Sequence, residues 1–270
     1  MALSEHQTTF DGIPVHYWRG GSGFPILMIH GSGPGASTQG NWRLVLDRLV
    51  ERYHVLAADL IGFGQSGRRA QEPYFDIDLW LAQSRAMLDL LPGPEVGIIG
   101  QSLSGMLALR LAAGSDRIRK VLTTGAMGGR FAANDYLRRA WTLPETREEL
   151  RQASEGLVYD KSIVTDAYLD QRMAVLHSNG YAPYFRSMFA GDKQRFVDLS
   201  VIRPEELGKI KAEVVMIHGR DDLPVPMEPS SLAMSKSIPQ ADVVALAGCG
   251  HSPALEHPAK FLAVAEMLFG

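Results

Sequence analysis

The sequence predicts an α/β fold in which a mostly parallel, eight-stranded sheet is flanked by helices and a helical cap is inserted after the sixth strand. Three observations carry this. Short apolar runs alternate with stretches of helical spacing up to residue 126, and the alternation resumes after residue 203. Between them no run reads as a buried strand. The chain also opens with Asp11-Gly12 between two β-like runs, a dipeptide that supplies the positive φ angles of a tight hairpin. Short strands buried on both faces and separated by amphipathic helices belong to a parallel sheet covered on two sides.

The elements follow in order. Residues 8–10 and 13–18 are the hairpin strands, and residues 25–29 form an apolar strand ending in a glycine-rich loop. Residues 41–51 then carry apolar side chains at helical spacing. The unit repeats with a strand at 54–58 and a helix at 77–91, then a strand at 96–99 leading into a helix at 102–113, and a sixth strand at 121–123. Residues 127–203 are mainly helical, with breakers at Pro144, Gly156, Gly180 and Pro183. A strand at 214–217, a helix at 229–237, a strand at 243–246 and a helix at 258–269 complete the sheet. The expected organisation is a core of residues 1–126 and 204–270 with a cap of residues 127–203. There is no internal repeat and no low-complexity tract.

Composition narrows the function. With 270 residues, 46% hydrophobic and 21% charged, the chain can bury a substantial core. A net charge of −3 with no Lys/Arg run gives no field for a nucleic-acid backbone, so nucleic acid is not an expected partner. Cys249 is the single cysteine, which excludes an intrachain disulfide and leaves too few thiols for a cysteine-ligated metal. No metal and no cofactor are expected. The first ten residues lack a basic segment followed by an apolar run, and no apolar stretch reaches the ~18 residues of a spanning helix. A cytoplasmic protein that does not enter a membrane is the expectation, and a homo-oligomer is compatible with it.

The chemistry starts at Gly100-Gln101-Ser102-Leu103-Ser104-Gly105, on the junction between a buried strand and a helix. A sharp strand-to-helix turn needs small residues two positions either side of its serine, and the helix start supplies unpaired N–H donors for an oxyanion. Ser104 stands where that motif has its last glycine. Taken alone, Ser102 is equally well an N-cap. His251, in Gly248-Cys249-Gly250-His251 after the last strand, can take a hydroxyl proton and return it, although a hydrogen-bonded loop histidine is the plain alternative. Asp221 and Asp222 follow the seventh strand, and either could orient the imidazole. The order serine, acid, histidine, with all three on loops at strand ends, makes a triad of separate weak signals. The loop His30-Gly31-Ser32-Gly33-Pro34-Gly35-Ala36 supplies the second donor, so the Ser32 and Leu103 N–H groups are the expected oxyanion hole. It lacks the Lys-Ser/Thr ending of a phosphate loop.

At these residues the chain resembles the α/β-hydrolase superfamily over nearly its full length. More narrowly it is similar to the meta-cleavage product hydrolases, which break a carbon–carbon bond in vinylogous 1,5-diketone acids formed by aromatic ring fission. The matching segments are HGSGPGA with Asn41-Trp42 downstream, DLIGFGQS at residues 59–66, GRDDLPVP at 219–226 and CGHSPALEHP at 249–258. The resemblance implies that Asp222 is the triad acid and Asp221 shapes the turn. It implies that Gly31 and Asn41 face the substrate's enol and carboxylate end, although Asn41 also reads as an N-cap. It implies a cap arginine that holds a carboxylate: Arg172 is the candidate, with Arg186 and Arg138 as alternatives. Tyr181, Tyr184, Phe185, Met188 and Phe189 are the expected apolar wall. Two positions bordering the site depart from the family pattern, Gln101 where asparagine is common and Ser252 where tryptophan is usual. The implied substrate is an apolar-tailed carboxylic acid. The competing readings are an esterase or lactonase using the same triad, a cofactor-independent dioxygenase of heteroaromatic rings, and a non-catalytic binding protein on the same fold.

Overall fold

The computed structural model describes residues 2–178 and 180–270. Eight strands form one sheet: β1 (Ser4–Phe10), β2 (Ile13–Gly20), β3 (Pro25–Ile29), β4 (His54–Ala58), β5 (Val96–Gln101), β6 (Ile118–Thr124), β7 (Glu213–Gly219) and β8 (Ala241–Leu246). Their spatial order is β1-β2-β4-β3-β5-β6-β7-β8, and β2 alone runs against the others. The helices are α1 (Thr38–Trp42), α2 (Leu46–Val50), α3 (Ile77–Asp89), α4 (Leu103–Ala113), α5 (Asp135–Ala140), α6 (Arg147–Glu155), α7 (Asp166–Leu176), α8 (Tyr181–Met188), α9 (Gln194–Ser200), α10 (Pro204–Leu207), α11 (Ala233–Ser235), α12 (Pro253–Glu256) and α13 (Pro258–Phe269).

The sheet is apolar on both faces because its central strands have no polar side. In β3, Ile26 and Met28 pack with Trp42, Leu49, Phe261 and Phe269, whereas Leu27 and Ile29 point to the opposite layer with Ile98, Leu107 and Val121. Each of these side chains contributes about 1.5–3 kcal/mol by burial, and the two-sided pattern leaves the ends of the strands as the place for polar groups. The carboxyl ends lie level: Ile29 pairs with Gly100, Gln101 with Thr124, and Thr124 with Ile217. Loops leaving β3, β5, β6 and β7 therefore emerge side by side, and the helices α5–α9 lie in the chain between the last two of these strands.

Local boundaries differ from the sequence reading where side chains cap helices. The helix expected at 41–51 is two short helices, and the first begins earlier because the Ser37 hydroxyl accepts from Gly40 N–H at 3.1 Å. Ser37, not Asn41, is thus its N-cap, and Asn41 is left buried inside the helix with its amide available to the cavity. The first strand also starts at Ser4 rather than residue 8, since all seven of its residues pair with β2.

Asp59, just after β4, anchors the glycine-rich loop. Its buried carboxylate accepts from Thr38 N–H at 2.7 Å and Gln65 N–H at 2.9 Å, and faces His16 Nδ1 at 3.2 Å. Burial opposes its ionisation, but the His16 hydrogen bond, the His30 ring and the two amides hold the carboxyl below the ordinary range. Among the described residues no helix is long and apolar enough to cross a membrane.

Candidate active site

Ser102 sits between β5 and α4 with φ +56° and ψ −121°, a backbone conformation that costs a non-glycine residue roughly 1–3 kcal/mol. Its neighbours hold it there. Ser102 N–H donates to Thr124 O at 2.9 Å, and Ser102 O accepts from Gly105 N–H at 2.9 Å and Met127 N–H at 3.0 Å. The side chain makes no capping bond to α4, so the plain N-cap reading of this serine lacks its defining contact. The turn needs Gly100, where an added Cβ would lie 2.2 Å from Ser104 O and 2.6 Å from Ser104 C. Position 104 tolerates a hydroxymethyl because that group points away and donates to His30 O at 2.5 Å, fastening α4 to the glycine-rich loop. Gly100→Ala is therefore expected to destabilise the fold by about 3 kcal/mol, read as a lowered denaturation midpoint, because rigid backbone rather than a side chain must yield.

The imidazole and its acid lie next to this turn. Asp222 Oδ2 is 2.7 Å from His251 Nδ1, and both residues are buried. A carboxylate on Nδ1 fixes the ring proton there and leaves Nε2 as the basic nitrogen. Gly125, at φ +51°, makes the room: a Cβ there would be 2.9 Å from His251 Nδ1 and 3.0 Å from Asp222 Oδ2. The sequence reading missed a second imidazole. His218, fully buried on β7, has Nε2 2.8 Å from Val225 O and 3.1 Å from Asp222 Oδ2, and Nδ1 2.7 Å from Ser231 Oγ. Both atoms facing Nε2 are acceptors, so Nε2 carries the proton. Asp222 Oδ1 in turn accepts from Val225 N–H at 2.9 Å. Burial disfavours its charge, but the His251 ring and the His218 and His251 hydrogen bonds outweigh that and hold the carboxyl at about 2.

The loop after β3 faces the serine closely: a Cβ on Gly31 would sit 3.2 Å from Ser102 Cβ. Within the described residues neither Ser32 N–H nor Leu103 N–H has an acceptor, so the two amides can hold a developing negative charge beside the hydroxyl. The helical segment grips this loop. Trp141 Nε1 donates to Ser32 Oγ at 3.0 Å, Arg172 Nη1 to Pro34 O at 2.5 Å, and Gly35 N–H to the Tyr181 hydroxyl at 3.2 Å. It grips the histidine loop as well, through His251 N–H to Leu157 O at 2.8 Å and Tyr159 N–H to Glu256 at 2.6 Å. Gln101 Nε2 donates to His251 O at 3.1 Å, which gives this departure from the family pattern a bracing contact on the histidine backbone.

One cavity collects Ser102, His251, Gly31, Ser32, Asn41, Gln101, Arg172 and Ser252. Asp222 stands behind His251 rather than in the cavity, and Asp221 binds Gly248 N–H at 3.1 Å, a turn-forming contact. Of the three arginine candidates only Arg172 reaches the cavity; Arg186 pairs with Glu145 and Arg138 with Asp192, both on the surface. The expected aromatic wall differs. Phe185 and Phe189 pack against each other, with Phe189 against Phe75, Trp141 and Phe196, and Tyr184 packs on Tyr74. None of the five lines the cavity, whose apolar wall is Leu137, Ala140, Trp141, Leu157, Pro224 and Leu255. Packing within the helical segment 127–203 is non-local, so the aromatic row in the sequence marked the support of the wall rather than the wall.

Comparison with known proteins accords with this arrangement. The alpha/beta hydrolase family matches residues 26–264. The chain is 32% identical to 2-hydroxymuconate semialdehyde hydrolase of a Pseudomonas strain, over 93% of this chain and 88% of that one. It is 31% identical to 2-hydroxy-6-oxo-2,4-heptadienoate hydrolase of Pseudomonas putida, over 93% and 91%. Among solved structures, a variant of the meta-cleavage product hydrolase CumD superposes with a TM-score of 0.91 at 31% identity, covering 96% of each chain. A serine-to-alanine variant of that enzyme from Pseudomonas fluorescens, complexed with acetates, superposes at 0.89 with 32% identity, covering 94% and 93%. The chain belongs to the alpha/beta hydrolase family and is a serine hydrolase of its meta-cleavage product branch.

Proposed function

We propose that the protein hydrolyses the C5–C6 bond of a 2-hydroxy-6-oxo-hexa-2,4-dienoate-type acid, with Ser102 as nucleophile, His251 as base and acid, and Asp222 as its orienting carboxylate. The observation that carries the proposal is the strained Ser102 turn, facing two acceptor-free amides and sharing one cavity with the Asp222-bound His251. His251 first assists transfer of the 2-hydroxyl proton to C5, giving the 2-oxo form. Ser102 Oγ, deprotonated by His251 Nε2, then adds to the C6 carbonyl, and the Ser32 and Leu103 N–H groups hold the oxyanion. The tetrahedral adduct collapses with cleavage of C5–C6. The electron pair leaves as the dienolate of 2-hydroxypenta-2,4-dienoate, and C6 remains as an acyl-serine. Water, activated by His251, releases the second acid.

Arg172 supports an acid as the substrate. It is 9% exposed, lines the cavity and has no carboxylate partner among the described residues, so a substrate carboxylate would complete its donors. Gly31, Asn41, Gln101 and Ser252 are the proposed polar contacts around it. Residues 127–203 are proposed to act as the cap domain, and the cytoplasm as the compartment, where the lone thiol of Cys249 stays reduced. The bulky wall of Leu137, Trp141 and Leu157 favours a small distal group, hydrogen or methyl, as in the substrates named for two of the relatives.

The test is loss of visible absorbance when enzyme meets the yellow ring-fission acid, with the hydrogen or methyl substrate turned over faster than the phenyl one. No bleaching with any of them, alongside fast hydrolysis of aryl esters or lactones, would overturn the proposal in favour of an esterase. Arg172→Lys should raise KM by about tenfold to a hundredfold, because a point charge replaces a two-pronged donor, while kcat changes less.

A further inference from the structure

A second cleft lies beside the nucleophile's cavity and shares Arg172 with it. One wall is the loop into α1, with Gly35 and Ser37, together with Arg43 just after that helix; the other is α7, with Tyr168 and Arg172. Gln39 and Gln171, at its edges, are exposed. Two guanidinium groups therefore flank one ring in this cleft, with Cζ of Arg172 5.2 Å and Cζ of Arg43 5.4 Å from the centroid of the Tyr168 ring. Arg43 Nη1 is spent on Gly40 O at 2.9 Å and Arg172 Nη1 on Pro34 O, but Arg172 Nε is buried without any acceptor.

Neither cation has an acidic side chain within ion-pair distance among the described residues, although the chain carries more acidic than basic groups. Both are partly or fully withdrawn from water. Burial first, and then the Arg172 charge, pull the Arg43 pKa below its ordinary value. Two desolvated like charges with an unmet donor are unfavourable alone and become favourable once an anion enters the cleft that both line. The Tyr168 ring relieves part of the strain through its π face, but it accepts no N–H in the plane of either fork.

We propose that this outer cleft is an anion-capture site: Arg43 and Arg172 together draw in the substrate's carboxylate and pass it along the shared Arg172 into the cavity of Ser102. The inference rests on the carbon–carbon hydrolase reading for its substrate, but not for the charge arrangement itself. It assigns Arg43 a role in capture rather than in bond breaking. A positive cleft of this kind raises association rates by roughly 10-fold or more at low salt and loses the effect as salt screens it.

The experiment measures kcat/KM for the yellow carboxylate substrate from low to high ionic strength, beside 4-nitrophenyl acetate, a neutral ester that can acylate the same serine. Wild-type kcat/KM on the acid should fall with salt. Arg43→Gln should lower it by roughly 3- to 10-fold at low salt, with most of the change in KM, and should flatten the salt dependence. Arg43→Lys should restore most of the loss and Arg43→Glu should deepen it, while the neutral ester shows no such series. An Arg43→Gln enzyme with unchanged kcat/KM and salt slope on the acid would overturn the inference, as would an equal loss on both substrates, which marks a structural role. If the wild type leaves the yellow acid untouched, the hydrolase reading fails separately. Benzoate inhibition of the ester reaction, expected to weaken in Arg43→Gln, then decides whether the cleft takes anions.

Discussion

Ser102→Ala is expected to lower kcat on the ring-fission acid by on the order of 10⁶-fold while the protein still folds and binds substrate. The size follows from what is removed. Without Oγ there is no acyl intermediate, and water would have to attack C6 directly from a cavity whose donors are aimed at an adduct on Ser102. The fold survives because the hydroxyl makes no capping bond and the turn is held by backbone bonds to Thr124, Gly105 and Met127. Alanine keeps the same Cβ, so the strained φ is neither relieved nor worsened. Mixing the variant with the yellow acid in a rapid-scanning spectrophotometer separates the steps: binding and tautomerisation can still alter the spectrum, but 2-hydroxypenta-2,4-dienoate must not accumulate. A residual rate within a hundredfold of the wild type would mean that His251 activates water directly and that Ser102 is not the nucleophile.

The fold was legible in the sequence because its signals are local. Buried strands such as 96–99 are apolar throughout, and the level carboxyl ends follow from topology once the strands are parallel. The placement of the proposed triad was legible for the same reason: Ser102, Asp222 and His251 each follow a strand, and their order in the chain matches the order of the loops. Asn41 illustrates the limit. Ser37 took the cap because its hydroxyl reached Gly40 N–H, a contact set by backbone geometry four residues before the Asn41 that the sequence suggested. The wall of the cavity was harder still. Trp141 and Leu157 line the cavity because residues far apart in the segment 127–203 pack together, Trp141 against Phe189 and Phe196, and nothing in their spacing separates them from Phe185 or Phe189.

His218 was invisible for another reason. Directly after the run Val214–Ile217 its imidazole reads as the polar end of a strand, and only the fold of the following turn brings Nε2 within 3.1 Å of Asp222. That contact changes what the acid does. With His251, His218 and Val225 all donating, Asp222 is a carboxylate surrounded by N–H groups on both oxygens.

Asp222→Asn is therefore expected to cost about 10⁴-fold in kcat where the new amide nitrogen faces the histidines, while the opposite orientation keeps the tautomer but leaves a buried donor unpaired. If the amide nitrogen faces His251 and His218, it confronts two N–H donors. His251 must then move its proton to Nε2, and the base that should receive the serine proton is gone. If the oxygen faces the histidines, the NH₂ group confronts Val225 N–H, and a buried donor loses its acceptor at about 1–3 kcal/mol. The carboxylate alone satisfies all three donors, which explains why its pKa is held at about 2 despite burial. The sign of the pH effect follows. Because the folded-state pKa lies below the ordinary 3.8, ionised Asp222 adds stability that is fully present above pH 3.8 and is lost as pH falls towards 2. The amount is on the order of 2 kcal/mol. Denaturant titrations at pH 7 and pH 3 should find wild type losing more stability than Asp222→Asn over that interval. Equal losses would show that the three N–H groups do not select the charged form, and that His251 owes its orientation to the Leu157 and Gln101 contacts on its backbone instead.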